Sequence, residues 1–265
     1  MARYCPLFSG SSGNCTYVGN PKGGILIDAG VSASRIENAL RMRGIDPCSI
    51  QAVFVTHEHS DHISGLRVLT KRYGYQVYAS EGTLDALTAA SAVDAKVLCE
   101  AIAGEGEVKE AAGMAVMAFH TSHDSRESLG FRIHLPDGRR IAVATDTGCV
   151  SPTVREALLG CDLIQLESNH DVRMLENGPY PYYLKRRILA ATGHLSNEDC
   201  AAELAEFARA GTTRFVLAHL SRDNNSPDLA YMTSRMALCG AGLEEKVDFI
   251  LQVAPRNAEA PVMVF

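Results

Sequence analysis

Thr56-His57-Glu58-His59-Ser60-Asp61-His62 places three imidazoles and a carboxylate within six residues, His57 to His62. It follows directly on the apolar run Ala52–Thr56 (AVFVT), which predicts a buried strand. Where that strand ends, His57 and His59 can project in one direction from the loop. Asp61 and His62 then fall at the start of a helix, from which they reach a second centre. Imidazole and carboxylate together suit Zn²⁺, Mn²⁺ or Fe²⁺. The competing interpretation is a solvated histidine-rich turn, which would need HxHxDH to fall behind an apolar strand by chance.

Further ligands stand at other predicted strand ends, where α/β sheets carry their active residues. His123 (in HTSHDS) follows the run Met114–Phe119, Asp146 closes RIAVATD ahead of Thr147-Gly148, and His219 closes RFVLAH. Each alone reads equally as a cap or a surface residue. Beside the cluster they complete a ligand set.

The surrounding chain predicts a layered α/β (α+β) domain. Strands are expected at Arg3–Phe8, Cys15–Gly19, Gly24–Asp28, Gln76–Ala79, Leu129–Leu135, Arg140–Ala144, Asp162–Leu166, Arg214–Ala218 and Val247–Leu251. Helices are expected at Ser32–Arg43, Tyr180–Ala191, Asn197–Ala210 and Pro227–Leu238. No repeat, low-complexity tract or linker divides residues 1–265, so one domain is expected. With 46% hydrophobic and 21% charged residues the chain reads as globular. No apolar run approaches the ~20 residues of a membrane span, and the N-terminus lacks a secretory pattern. Eight scattered cysteines without a CxxC pair read as reduced thiols, and a cytoplasmic protein with no membrane partner is expected.

The order His57, His59, Asp61, His62, His123, Asp146, His219 resembles the metallo-β-lactamase superfamily over nearly the whole chain. The resemblance implies a single-domain αββα sandwich with two divalent metal ions (Zn²⁺ or Mn²⁺, or Fe²⁺) at one sheet edge. It implies that His57, His59 and His123 hold one ion, Asp61, His62 and His219 the other, and that Asp146 bridges. Asp28, the acid ending an early strand, would buttress the metal loop as an outer-layer carboxylate. Two such ions make hydroxide available as the nucleophile near neutral pH, and Asp61 would also orient it.

Three further elements resemble the phosphodiesterase branch that includes tRNase Z: His219-Leu220-Ser221, Gly193-His194-Leu195-Ser196, and Leu166-Glu167-Ser168. In that branch a glutamate pairs with a histidine that protonates the leaving oxygen, which implies Glu167 and His194 in those roles. The bland alternatives are a neighbour of the Ser196 helix cap for His194 and a solvated strand-end acid for Glu167. SGSSGN at Ser9–Asn14, LESNHD and HLSRDNN resemble the YycJ/WalJ family of bacterial metallo-hydrolases. That implies a 5′→3′ exonuclease on double-stranded DNA with a DNA-repair role, so DNA is expected as partner ahead of RNA. The chain has no inserted arm to grip tRNA and no added domain between Asp146 and His219. A small-molecule hydrolase of thioesters, lactones or cyclic phosphodiesters is the alternative, and a non-catalytic metal-binding module a third.

Substrate contacts are expected from Ser11, Ser12 and Asn14, whose glycine-flanked loop is either a phosphate nest or a hairpin turn. Arg222 and Asn224, close behind His219, are expected to line the cleft. Tyr180–Arg187 sets aromatics beside three cations, as either a contact strip or a solvated helix start. His170 reads as an outer-layer or surface residue. The formal charge, 25 − 31 = −6, excludes a broad basic nucleic-acid face. Two bound divalent cations would add about +4 at the cleft, so a local grip with shallow salt dependence is expected.

Overall fold

A computed structural model of the chain describes residues 1–103, 106–257 and 260–265. The first sheet begins as an antiparallel meander of β1 (Arg3–Phe8), β2 (Cys15–Asn20) and β3 (Gly23–Ile27). It continues through parallel crossovers to β4 (Ile50–Phe54), β5 (Gln76–Ala79) and β6 (Cys99–Ala101). Helices α1 (Ala33–Met42), α2 (Ser60–Ile63), α3 (Leu66–Tyr73) and α4 (Glu81–Ala89) occupy those crossovers. The second sheet repeats the plan with antiparallel β7 (Val108–Ala111), β8 (Met114–His120), β9 (Leu129–His134) and β10 (Arg140–Ala144). Parallel β11 (Leu163–Glu167), β12 (Arg214–Ala218) and β13 (Ile250–Val253) follow. Between them lie α5 (Pro152–Leu158), α6 (Val172–Asn177), α7 (Tyr182–Ile188), α8 (Asn197–Arg209) and α9 (Pro227–Gly240). β14 (Met263–Val264) returns to pair with β1.

Three apolar layers hold this together, and they give the expected αββα sandwich. Val18, Ile25, Ile27 and Phe54 of the first sheet meet Val116, Phe131, Ile133 and Val143 of the second in the inner core. On the outer face of the first sheet, Leu26, Val53 and Val77 pack on Ile36 and Leu40 of α1 and Leu66 and Leu69 of α3. Ile164, Leu166, Phe215 and Leu217 of the second sheet pack on Val154, Leu204, Phe207 and Leu238 from α5, α8 and α9. Strands buried on both faces read as continuous apolar runs, which is why AVFVT and RFVLA stood out. Gln165 is the polar exception: its side-chain carbonyl accepts the Tyr4 hydroxyl and, at 2.9 Å, the Thr16 hydroxyl across the sandwich.

The helix expected over Tyr180–Ala191 is shorter. Pro181 disfavours helical backbone at Tyr180, so α7 starts at Tyr182 and ends at Ile188. None of the helices is long and apolar enough to cross a membrane among the described residues.

The parallel register decides where the chemistry falls. Ala144 pairs with Leu166, Leu166 with Leu217, and Glu167 with Ala218, so the ends of β10, β11 and β12 lie side by side. At the cleft end the chain leaves β3, β10 and β12 through left-handed residues that are not glycine, Asp28 (φ 63°), Asp146 (φ 56°) and His219 (φ 56°), and Ala112 (φ 53°) does the same after β7. Such backbone costs of order 1–3 kcal/mol at each position and persists only where the surroundings enforce it.

Candidate metal centre and its glutamate–histidine flank

His59, Asp61, His123, Asp146 and His219 line one cleft of about 280 Å³ between the sheet ends, with His57 and His62 within ligand distance behind them. His57 and His62 are fully buried, and His123, Asp146 and His219 nearly so. His57 Nε2 lies 3.0 Å from His59 Nδ1, which is 3.4 Å from His123 Nε2. Across the cleft, Asp61 Oδ2 lies 3.6 Å from His62 Nε2 and 3.7 Å from His219 Nε2. Asp146 stands between the groups, with Oδ2 3.3 Å from His62 Nε2 and Oδ1 3.8 Å from His123 Nε2.

The ring nitrogens facing away from the cleft are held by partners. His57 Nδ1 is 3.0 Å from the Thr56 hydroxyl, His62 Nδ1 is 2.7 Å from Asp28 Oδ2, and His123 Nδ1 is 3.1 Å from the Gly193 carbonyl. His219 Nδ1 is 2.7 Å from Glu167 Oε1. Asp28 also accepts the Thr56 amide at 2.8 Å and the Thr56 hydroxyl at 2.9 Å. It therefore braces both His62 and the loop that carries His57. Outer partners of this kind fix the tautomer and aim the free nitrogen of a metal-binding imidazole.

The residues present fit a pair of divalent cations. Asp146 Oδ2 and His219 Nε2 are buried and have no hydrogen-bond partner among the described residues, which is costly unless something positive lies against them. Tetrahedral coordination at ~2.0–2.1 Å sets ligand nitrogens about 3.3 Å apart, close to the separations at His57, His59 and His123. Burial and then the neighbouring imidazoles of His62, His123 and His59 push His57 well below its ordinary value, keeping its lone pair free. Burial lowers His219 too, but Asp146, Asp61 and Glu167 outweigh it and bring the ring to about 10. The carboxylates there call for positive charge.

Glu167 and His194 form a separate unit on one flank. Glu167 is fully buried, and its Oε1 lies 2.8 Å from His194 Nδ1 as well as 2.7 Å from His219 Nδ1. Its Oε2 accepts the Thr147 amide at 2.7 Å and the Leu195 amide at 3.4 Å. Although these atoms lie within ligand distance of Asp146 and His219, both Glu167 oxygens are already engaged. His194, with its Nδ1 on Glu167, lines the cleft. Burial pushes the Glu167 carboxyl up, but the His194 charge and the two imidazole hydrogen bonds outweigh it and hold it at about 2. Burial opposes a charge on His194, and the Glu167 carboxylate reverses this, raising the ring above its ordinary value.

The expected substrate contacts divide. Ser11 and Ser12 are exposed, and Ser11 lines the cleft. Asn14 does not fit that expectation. It is buried, its Oδ1 accepts the Gly10 amide at 2.9 Å, and its Nδ2 lies 3.1 Å from His62 Nε2. Its backbone amide donates to the Asp61 carbonyl at 2.8 Å. The SGSSGN loop thus clamps the metal loop, and Ser9 Oγ accepts the His219 amide at 2.7 Å. At Gly30 a Cβ would lie 1.7 Å from the Asp61 carbonyl oxygen, so only glycine admits this approach. Asn224 is also corrected: it is fully buried against Ser221 and has no surface to offer a substrate. Arg222 is exposed and stands outside the cleft lining. His170 is 1% exposed, so its surface placement is excluded, and neither ring nitrogen has a hydrogen-bond partner among the described residues.

Sequence reasoning missed a buried amide network behind the flank. The Asn197 and Asn225 amides pair reciprocally at 3.0 and 2.9 Å. Asn225 Nδ2 also donates to the Ser168 and Asn169 carbonyls at 2.9 Å. Asn169 Nδ2 donates to the His219 carbonyl at 2.8 Å and faces the cleft. The clustering of Asn and Ser in LESNHD, GHLSN and RDNN was the available signal. Arg187, on the cleft wall, forms a two-point ion pair with Asp124.

The family model described as a beta-lactamase superfamily domain matches residues 24–220. The chain is 40% identical to the exodeoxyribonuclease YycJ of Bacillus anthracis, over 88% of this chain and 87% of that one. It is 37% identical to the exodeoxyribonuclease WalJ of Streptococcus pneumoniae, over 97% and 96% of the two chains. Among solved structures, Zn²⁺-bound PqqB from Methylobacterium extorquens superposes with a TM-score of 0.75 at 18% identity, covering 99% and 100% of the chains.

Proposed function

The chain belongs to the beta-lactamase superfamily of hydrolases and, within it, to the family of the YycJ and WalJ exodeoxyribonucleases, and from this membership and the cleft geometry we propose that it is a cytoplasmic, dinuclear metal-dependent 5′→3′ exonuclease acting on double-stranded DNA in repair. The whole chain, residues 1–265, serves as one catalytic domain. The observation that carries the assignment is the Glu167–His194 pair, with His194 facing the cleft beside the ligand set. A sugar alkoxide is a poor leaving group and needs a proton, whereas a thiolate does not. An imidazole kept charged by a buried carboxylate supplies that proton.

His57, His59 and His123 would hold one ion and Asp61, His62 and His219 the other, with Asp146 shared between them. When bound, two divalent cations (Zn²⁺, Mn²⁺ or Fe²⁺) acidify water and polarise the phosphodiester. Asp61, partly exposed at the cleft, orients the attacking water and accepts its hydrogen bond. His194 gives the Nε2 proton to the departing sugar oxygen while Glu167 keeps hold of Nδ1. Ser11 lies where it can donate to a non-bridging phosphate oxygen. The cleft, at about 280 Å³, is at the small end of ligand pockets and favours a strand terminus over a continuous duplex.

The test is release of nucleotides from end-labelled duplex DNA in Mn²⁺, with Asp146→Ala as the control. Release by the wild type and loss of at least a thousandfold in the variant is the expected result. No release from either protein would remove the nuclease assignment. Turnover of a chromogenic thioester without DNA hydrolysis would replace it with a small-molecule hydrolase.

A further inference from the structure

Helix α7 turns one stripe to the cleft and another to solvent. Leu184, Arg187 and Ile188 form part of the cleft wall, while Tyr182 and Tyr183 are 76% and 74% exposed. The chain has nine tyrosines and eight phenylalanines, and among the described residues these two are the only ones exposed. The same helix carries Lys185, Arg186 and Arg187 and no acid, in a chain of formal charge −6. The Arg186 guanidinium lies 6.0 Å from the Tyr182 ring centre. Tyr183 stands one turn from Arg187, and residues four apart share a helix face, so it is carried on the side of α7 that reaches the cleft although it lies outside the lining itself.

Bare rings flanked by cations suit a polyanion that also offers flat apolar faces. Resting on the nuclease assignment above, the geometry points to α7 as a stacking platform for unpaired bases of the DNA strand that leaves the cleft. Tyr183 takes the base next to the terminal nucleotide. Tyr182, with Arg186 over its ring, takes the base beyond, and Lys185 and Arg186 follow the phosphates while Arg187 stays paired with Asp124. Base–aromatic stacking is indifferent to sequence because every base has a π face, so the platform serves an exonuclease that must read through any sequence. A fully paired end would leave the rings uncovered, and DNA with a frayed or single-stranded terminus is the preferred occupant.

The test separates binding from hydrolysis. Metal-free protein is titrated against a fluorescein-labelled single-stranded DNA 12-mer, read by anisotropy. Tyr183→Ala is expected to weaken binding roughly tenfold, and Tyr182→Ala/Tyr183→Ala further, from the magnitude of base–aromatic stacking. Tyr183→Trp should restore it, which a merely structural defect would not allow. Abasic sites at the second and third positions from the terminus should weaken wild-type binding by the same factor and leave the double variant unaffected. Equal binding by wild type and double variant, or equal effects of the abasic sites on both, overturns the platform. With Mn²⁺ bound, the double variant should lose at least ten times more turnover on a frayed oligonucleotide than on bis(4-nitrophenyl) phosphate. Ring-dependent binding without any DNA hydrolysis would sink the nuclease assignment and leave the platform standing.

Discussion

Replacing Glu167 by glutamine tests the division of labour at the flank. Glu167 Oε1 serves His194 Nδ1 at 2.8 Å and His219 Nδ1 at 2.7 Å, and Oε2 serves the Thr147 amide at 2.7 Å. Glutamine has the same shape but one oxygen. If that oxygen takes the Oε1 position, the amide nitrogen faces the Thr147 N–H, donor against donor. If it takes the Oε2 position, the nitrogen faces two imidazoles that donated to a carboxylate. Each hydrogen bond to a charged group is worth about 1.5–3 kcal/mol, so either arrangement sacrifices at least one. Loss of an outer partner costs a metal-binding imidazole such as His219 about 10–100-fold in metal affinity. Loss of the charge that holds His194 protonated removes the acid, worth about 10²–10⁴ in rate. Glu167→Gln should therefore lower both metal content and turnover. His194→Ala should lower turnover by the same 10²–10⁴ and retain both metals. Metal content measured by elemental analysis after dialysis at fixed free Zn²⁺, alongside initial rates on end-labelled DNA, distinguishes the two. Depletion of metal in His194→Ala to the level of Glu167→Gln would make His194 a ligand and refute the assignment. So would full metal and full turnover in Glu167→Gln.

Two other substitutions follow from the same geometry. Asp28→Asn keeps the shape but removes the carboxylate that braces His62 at 2.7 Å; metal affinity should fall about 10–100-fold, and unchanged metal content would show that His62 needs no such brace. His170 is buried and held near 4, chiefly by burial, so the folded state refuses a proton that the unfolded chain accepts near 6.5. Its contribution is intact above about pH 6.5 and lost as pH falls toward 4, on the order of 3 kcal/mol across the window. In urea titrations the metal-free His170→Asn variant should lose less stability than the wild type over that range, and parallel curves would refute the point.

The metal-binding pattern was legible because it is written in residue identity. Three imidazoles and a carboxylate behind an apolar strand have few other uses, and the strand ends at Asp146 and His219 could be placed from RIAVA and RFVLA. The edge strands β6 and β7 could not, since CEA and VKEA are short, half-exposed and without clear alternation. The larger gap concerns how the ligands are held. Ser9 supports His219 from 210 positions away, Asn14 supports the Asp61 loop across 47, and Asn225 ties down Ser168 across 57. Hydrogen bonds of that span leave no local periodicity, so the sequence presents Asn14 as part of a phosphate nest and Asn224 as a neighbour of His219, whereas both are buried. The left-handed backbone at Asp28, Asp146 and His219 was equally hidden, because glycine is the usual mark of such a turn. An acid or histidine there pays conformational energy that glycine would avoid, and it does so at three sheet ends facing one cleft. Ser91, Ala112 and Lys246 share this backbone away from the cleft, so what distinguishes Asp28, Asp146 and His219 is that their side chains meet at the metal centre.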